Sequence, residues 1–145
     1  MRQEETEINI KAPPETVWKV MTDFDSFPDW NPMITRARGE AVEGTILEVQ
    51  LTLPNGKPRT FRPRLLVAEP SKELRWIGKF LHSLLFGGEH YFILEPTEGG
   101  GTRFLHGERF SGLLVPLLSG VIKKSVQGFE QMNVALKERV EGSHA

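Results

Sequence analysis

Polar and apolar residues alternate from residue 5 to residue 10 of the chain, a period of two that predicts a strand. The run Ala12-Pro13-Pro14-Glu15 predicts a helix start, because a first helical turn offers no intrahelical partner to the N–H groups that proline lacks. Val17, Trp18 and Met21 then fall on one helical face. Asp25, Pro28 and Asp29 punctuate a second short helical segment over residues 27–31, stopped by Pro32. From Ile34 the pattern changes to strands. Residues 45–53 alternate up to the turn Pro54-Asn55-Gly56, and further strands are predicted over 59–68, 73–79, 90–95 and 102–110. The short turns between them imply an antiparallel meander, since parallel neighbours need crossovers of about a dozen residues or more.

The final period is helical. Leu118, Ile122, Val126, Phe129, Met132 or Asn133, Leu136 and Val140 step by three or four, with Lys123, Lys124, Glu130, Lys137 and Glu138 mainly on other faces. A long helix with one apolar stripe must bury it, and the concave face of the sheet is the available partner. The expected class is α+β: a curved antiparallel sheet wrapped around a long C-terminal helix, with two short helices after the first strand. One domain spanning residues 1–145 is expected from the length.

Composition acts by exclusion. Hydrophobic residues are 39% and charged residues 26% of the chain, which is ordinary globular usage. Eighteen Lys and Arg stand against 19 Asp and Glu, so no basic excess points to nucleic acid. Cysteine is absent, which removes disulfides and thiolate chemistry. The start, MRQEETEINI, has no apolar run of the kind a secretory leader needs. The longest apolar stretch, residues 113–122, contains Pro116, Ser119 and Gly120 and is far short of the ~20 residues of a membrane span. A cytoplasmic location is expected.

Several runs resemble the SRPBCC superfamily of START-like proteins. They are Ile10-Lys11-Ala12-Pro13-Pro14-Glu15-Thr16-Val17-Trp18, then Asp23-Phe24 and Phe27-Pro28-Asp29-Trp30-Asn31-Pro32. Leu74-Arg75-Trp76-Ile77-Gly78, Gly88-Glu89-His90-Tyr91-Phe92 and residues 102–112 are similar to its later strands. Gly128-Phe129-Glu130-Gln131-Met132-Asn133 is similar to its C-terminal helix. The resemblance covers nearly the whole chain and implies the helix-grip fold of the birch-pollen allergens, with many members labelled polyketide cyclase/dehydrase-like. It is specific for fold rather than activity, because the superfamily spans lipid carriers, hormone receptors, cyclases and oxygenase subunits.

Candidate chemistry comes from the last hairpin. With Pro96 opposite Thr102, Leu94 faces Phe104, Phe92 faces His106 and His90 faces Glu108, all on one side of the sheet. That side also carries Phe110, so His90, His106 and Glu108 become polar groups within an apolar pocket and need partners. They either orient the polar end of a ligand, act as general acid and base, or form a satisfied structural pair. Trp76 and Phe80 share strand parity, as cavity wall or as ordinary core, and Trp30 with Met33 is placed to close one end. Ile122, Val126 and Phe129 complete the expected lining from the helix. Arg62 and Arg64 alternate with Phe61, Pro63 and Leu65; a solvated outer face is the favoured placement. Leu81-His82-Ser83-Leu84-Leu85-Phe86 is read as a lid over the cavity, with membrane contact as the second choice. The four histidines lack metal-ligand spacing, and no metal or other cofactor is expected.

The expected function is binding of a lipid-like or aromatic, polyketide-like small molecule between sheet and helix. The alternatives are a cyclase/dehydratase-type enzyme using His90, His106 and Glu108, or a protein-interaction domain with a vestigial cavity. The expected partner is a hydrophobic ligand, with no nucleic acid, and the protein as a monomer or homodimer.

Overall fold

The computed structural model describes residues 1–79 and 85–142. Strand β1 (Arg2–Ile10) leads to α1 (Pro14–Thr22), a 3-10 turn at Phe24–Ser26 and α2 (Phe27–Trp30). Seven strands follow: β2 (Ile34–Arg38), β3 (Glu48–Leu51), β4 (Arg59–Phe61), β5 (Arg64–Glu69), β6 (Glu73–Lys79), β7 (Gly87–Pro96) and β8 (Thr102–Ser111). Helix α3 (Ser119–Gly142) closes the chain. The architecture is the expected helix grip.

Pro13 caps α1 from outside the helix, its carbonyl accepting from the Thr16 and Val17 N–H groups at 3.0 and 3.2 Å. Pro14 occupies the first turn, where its missing donor costs nothing. The strands run in the order β1-β8-β7-β6-β5, every neighbour antiparallel, and β2-β3-β4 form a second set. Residues 59–68, expected as one strand, are divided between β4 and β5 at Arg62-Pro63. Pro63 has no N–H to give a ladder, and the pairing of β5 with β6 begins only at Arg64 opposite Ile77. On its other side the same segment stays bonded: the Pro63 carbonyl accepts from Leu47 N–H at 2.8 Å, and Leu65 exchanges bonds with Gly44 and Thr45. The sheet therefore continues through this strand but parts between β4 and the end of β6.

Helix α3 buries Ile122, Ser125, Gly128, Phe129, Met132, Asn133, Leu136 and Val140, the stripe of its sequence period except that Ser125 is buried and Val126 only half-buried. One core cluster joins these apolar positions to Phe92, Phe104, Leu94 and Trp76 of the sheet and to Val17, Met21 and Phe27 of the short helices. Trp18 packs against that cluster while half-buried. Among the described residues, no helix is long and apolar enough to cross a membrane.

On the outer face Tyr91 is buried. Its hydroxyl donates to Glu5 at 2.7 Å and accepts from Gln3 at 2.9 Å, and the Arg75 guanidinium lies 4.6 Å from the ring centroid. The ring lies across Gly107, its partner on β8. A β-carbon there would press on the Tyr91 hydroxyl and the Glu4 carbonyl, at 2.5 Å from each. Gly107→Ala is expected to lower the unfolding free energy by about 1–3 kcal/mol through overpacking. Gly99→Ala, in an open turn with nothing within 4 Å, is expected to change it by less than about 0.5 kcal/mol. Urea denaturation of the two variants measures the difference.

Candidate functional site

Two strand registers and one helix build the site. β7 and β8 pair with Pro96 opposite Thr102, Phe92 opposite His106 and His90 opposite Glu108, the register expected from the turn. Trp76 on β6 lies opposite His90, and its indole stacks on that imidazole at 5.3 Å between centroids. From α3, the Phe129 ring stacks on His106 at 4.5 Å and meets the His90 ring edge-on at 5.1 Å. Two imidazoles thus sit within a box of aromatic rings, His90 only 4% exposed and His106 not at all.

Burial on this scale demands a partner for each ring nitrogen. His106 Nδ1 is 2.8 Å from Asn133 Oδ1 and its Nε2 is 2.8 Å from His90 Nε2. His90 Nδ1 is 3.1 Å from Glu108 Oε1. Asn133 Nδ2 donates to Thr6 Oγ1 at 2.8 Å, and the Thr6 hydroxyl donates in turn to the His106 carbonyl at 2.9 Å.

Donor and acceptor roles can be assigned from one end. The Thr6 hydroxyl spends its proton on a carbonyl, so it accepts from the Asn133 amide and the amide oxygen faces His106. His106 Nδ1 therefore carries a proton. Desolvation by complete burial, then the neighbouring His90 charge, hold its pKa well below the ordinary 6.5, against weaker support from Asn133 and the Phe129 backbone. His106 is neutral, its Nε2 accepts, and His90 Nε2 donates. The contact between His90 Nδ1 and Glu108 then needs one more proton. The pair is either imidazolium with carboxylate or imidazole with carboxylic acid, and both present a polar end that can accept from or donate to a ligand.

Glu108 reaches this position by lying over Gly88, where any β-carbon would collide with its carboxylate. Gly88 is thus part of the site. The Glu108 side chain is 13% exposed, which makes it the solvent-facing end of the buried chain.

These groups border a cavity of about 430 Å³ between α3 and the sheet. Of the residues expected from sequence, Trp76, His90, Glu108 and Phe129 line it, together with Met33. Phe92, Phe104, His106, Phe110 and Ile122 lie behind that wall, buried in packed core, and Val126 is half-buried against the same core. Trp30 packs edge-on against Phe27 at 5.3 Å, away from the cavity lining. The reason is packing: large side chains from both layers fill the grip around Phe92 and Phe104, while Phe110, the partner of Gly88 on β8, is covered by the Phe86 ring stacked on it at 5.9 Å. Phe80 and residues 81–84 of the expected lid lie outside the described residues; of the rest, Phe86 is buried on the cavity wall and Leu85 is partly exposed. Arg62 and Arg64 point outward. They border a second, more open groove of about 610 Å³, where Arg62 pairs with Glu48 at 3.4 Å.

Sequence reasoning placed the His90–Glu108 pair but missed Thr6, Asn133 and Gly88. A polar residue within the apolar stripe of α3 was the available sign for Asn133. Ser125 on the cavity wall breaks the stripe in the same way, its hydroxyl donating to the Val121 carbonyl at 3.0 Å.

A family model described as polyketide cyclase / dehydrase and lipid transport matches residues 1–141. Among solved structures the chain is similar to the Zhui aromatase/cyclase from Streptomyces sp. R1128, with a TM-score of 0.78 and 15% identity over 99% of this chain and 96% of that one. It is also similar to a START superfamily protein from Mycobacterium smegmatis, at TM-score 0.75 and 19% identity over 97% and 98% of the two chains. A structural-genomics protein from Mesorhizobium loti superposes at TM-score 0.76 with 20% identity, covering 99% of each chain. Among curated proteins, none matches the chain in sequence.

Two outcomes are expected from the buried chain. Asn133→Ala strands the His106 Nδ1–H donor away from water and should cost about 1–3 kcal/mol in urea denaturation. His106 binds its proton more weakly folded than unfolded, so the unfolded state holds the excess proton below about pH 6.5. Its contribution is therefore intact above that pH and falls by at most about 1.4 kcal/mol per pH unit on acidification. Stability measured at stepped pH should decline less steeply in His106→Gln.

Proposed function

Because the chain belongs to the polyketide cyclase / dehydrase and lipid transport family, we propose that it binds a hydrophobic small molecule in the cavity between the sheet and α3. The observation that carries this is the cavity itself. Its volume of about 430 Å³ falls within the ~300–1,000 Å³ usual for small-molecule sites. Its wall is mainly apolar, with Trp76, Phe86, Phe129 and Met33 among its members, a polar spot at His90 and Glu108, and exposed cations along its edge. That distribution suits a ligand that buries a hydrocarbon or aromatic body and offers one hydrogen-bonding group to Glu108.

The spare proton shared by His90 and Glu108 favours a second reading, acid–base catalysis of the cyclase or dehydratase kind. A proton held on the wall of the cavity is placed to move onto a ligand oxygen, and the emptied carboxylate then to accept one from carbon. His106, Asn133 and Thr6 would serve this chemistry by orienting His90 rather than by touching the ligand.

Filling the cavity separates binding from a passive void. Val121 is half-buried on the wall in the first turn of α3, and Val121→Trp places an indole inside. The variant is expected to keep its fold by circular dichroism while losing at least about ten-fold in affinity for an apolar fluorescent probe. Unchanged affinity would reject the cavity as the binding site. The catalytic reading is tested with a linear poly-β-keto thioester: a product lighter by water, formed by wild type and lost in Glu108→Gln, supports it. No such product from wild type rejects it for that substrate class.

A further inference from the structure

The charges bordering the cavity are distributed unevenly. Among the described residues its lining includes four cations, Lys57, Arg59, Lys79 and Lys124, and a single acid, Glu108, already committed to His90. All four cations are exposed, and none makes an ion pair among the described residues. The opposite arrangement holds across the outer face of β1, β8, β7 and β6. There Arg103 is bonded to both Glu7 and Glu95, and Arg75 to both Glu73 and Glu89. A chain with net charge −1 thus neutralises one face and leaves a cationic mouth on the other.

The fold places these cations where the wall is open. Arg59 is on β4 and Lys79 at the end of β6, the two strands that part beyond Pro63. Arg59, Phe61, Gly78 and Lys79 border both the inner cavity and the outer groove, whose other charged members are Arg62 and Arg64. Lys57 comes from the turn before β4, and Lys124 from the second turn of α3. The first turn of α3 contains no acid, so the partial positive charge of that helix end adds to the same field.

We propose that the cavity takes an amphipathic anion. Its apolar body lies between α3 and the sheet, and its anionic oxygen head, carboxylate or phosphate, lies among Lys57, Arg59, Lys79 and Lys124. This rests on the reading of the cavity as a hydrophobic-ligand site and adds the charge class of the ligand. The cations remain solvated, so the head stays at the mouth, its attraction is salt-dependent, and the body sets the depth of entry.

The test uses four decyl probes and inorganic phosphate in calorimetric titrations. Decanoate and decyl phosphate are expected to bind at least about ten-fold more tightly than decanol or decyltrimethylammonium in low salt. The gap should close at high salt and in the triple variant Lys57→Gln, Arg59→Gln, Lys124→Gln, with decanol affinity unchanged. A control double variant at exposed cations elsewhere, Lys19→Gln with Arg139→Gln, should keep it. Decanol or the ammonium probe binding as tightly as decanoate overturns the anionic head and leaves the apolar site standing. Inorganic phosphate displacing decyl phosphate at equal concentration overturns the amphiphile in favour of a free-anion site. No binding of any decyl probe, with none to wild type or Val121→Trp, overturns both the head and the cavity reading beneath it.

Discussion

A histidine without exposed surface persists only if both ring nitrogens are satisfied inside the protein, and at His106 that requirement ties four elements together. Its partners come from β7 through His90 and from α3 through Asn133, which itself leans on Thr6 of β1. A hydrogen bond is directional where an apolar contact is not. The stripe of α3 alone would tolerate small rotations of the helix in its groove, but the Asn133 bond at 2.8 Å does not. Fixing that rotation fixes which residues of the first two turns face the sheet. Lys124 and Ser125 reach the cavity wall because Asn133, two turns further on, is held.

The same tie divides the grip into two parts. Beyond it, Phe92, Phe104, Leu136 and Val140 are buried in a filled core, and dense packing there holds the imidazoles in place. On the near side, Gly88 leaves room for the Glu108 side chain, and the hollow begins. A packed half and a hollow half share one helix and one sheet. The packed half supplies the stability that lets the other remain unfilled, since voids in a core cost roughly in proportion to their volume.

The strand pattern and the helical stripe made the fold readable from sequence. The turn at residues 97–101 fixed the β7–β8 register, and with it the facing of His90 and Glu108, because a hairpin is a local structure. The remaining site residues were hidden for the opposite reason. Thr6 and Asn133 are 127 positions apart, and no local period announces that a β1 hydroxyl will orient an amide on the last helix. Gly88 reads as a loop glycine until the side chain lying over it is seen. Where the hollow ends was equally closed to sequence: Phe92, Phe104 and Phe110 have the right parity for a cavity wall, but whether they line a void or fill it depends on packing between elements. Lys57, Arg59, Lys79 and Lys124 lie at strand ends, in a turn and on a helix, with nothing in their spacing to mark them as neighbours.

The parting of the sheet at Pro63 has a mechanical consequence. The deep end of the cavity is braced by the unbroken ladder from β1 through β8 and β7 to β6 and by the imidazole chain, so its geometry is stiff. The outer end is bounded by β4, which is hydrogen-bonded to β3 but not to β6. Displacing β4 outward breaks no bond to β6, so that wall is compliant. For the binding proposed above, such a wall would hold the end at Glu108 fixed and let the outer end vary with the length and bulk of the ligand.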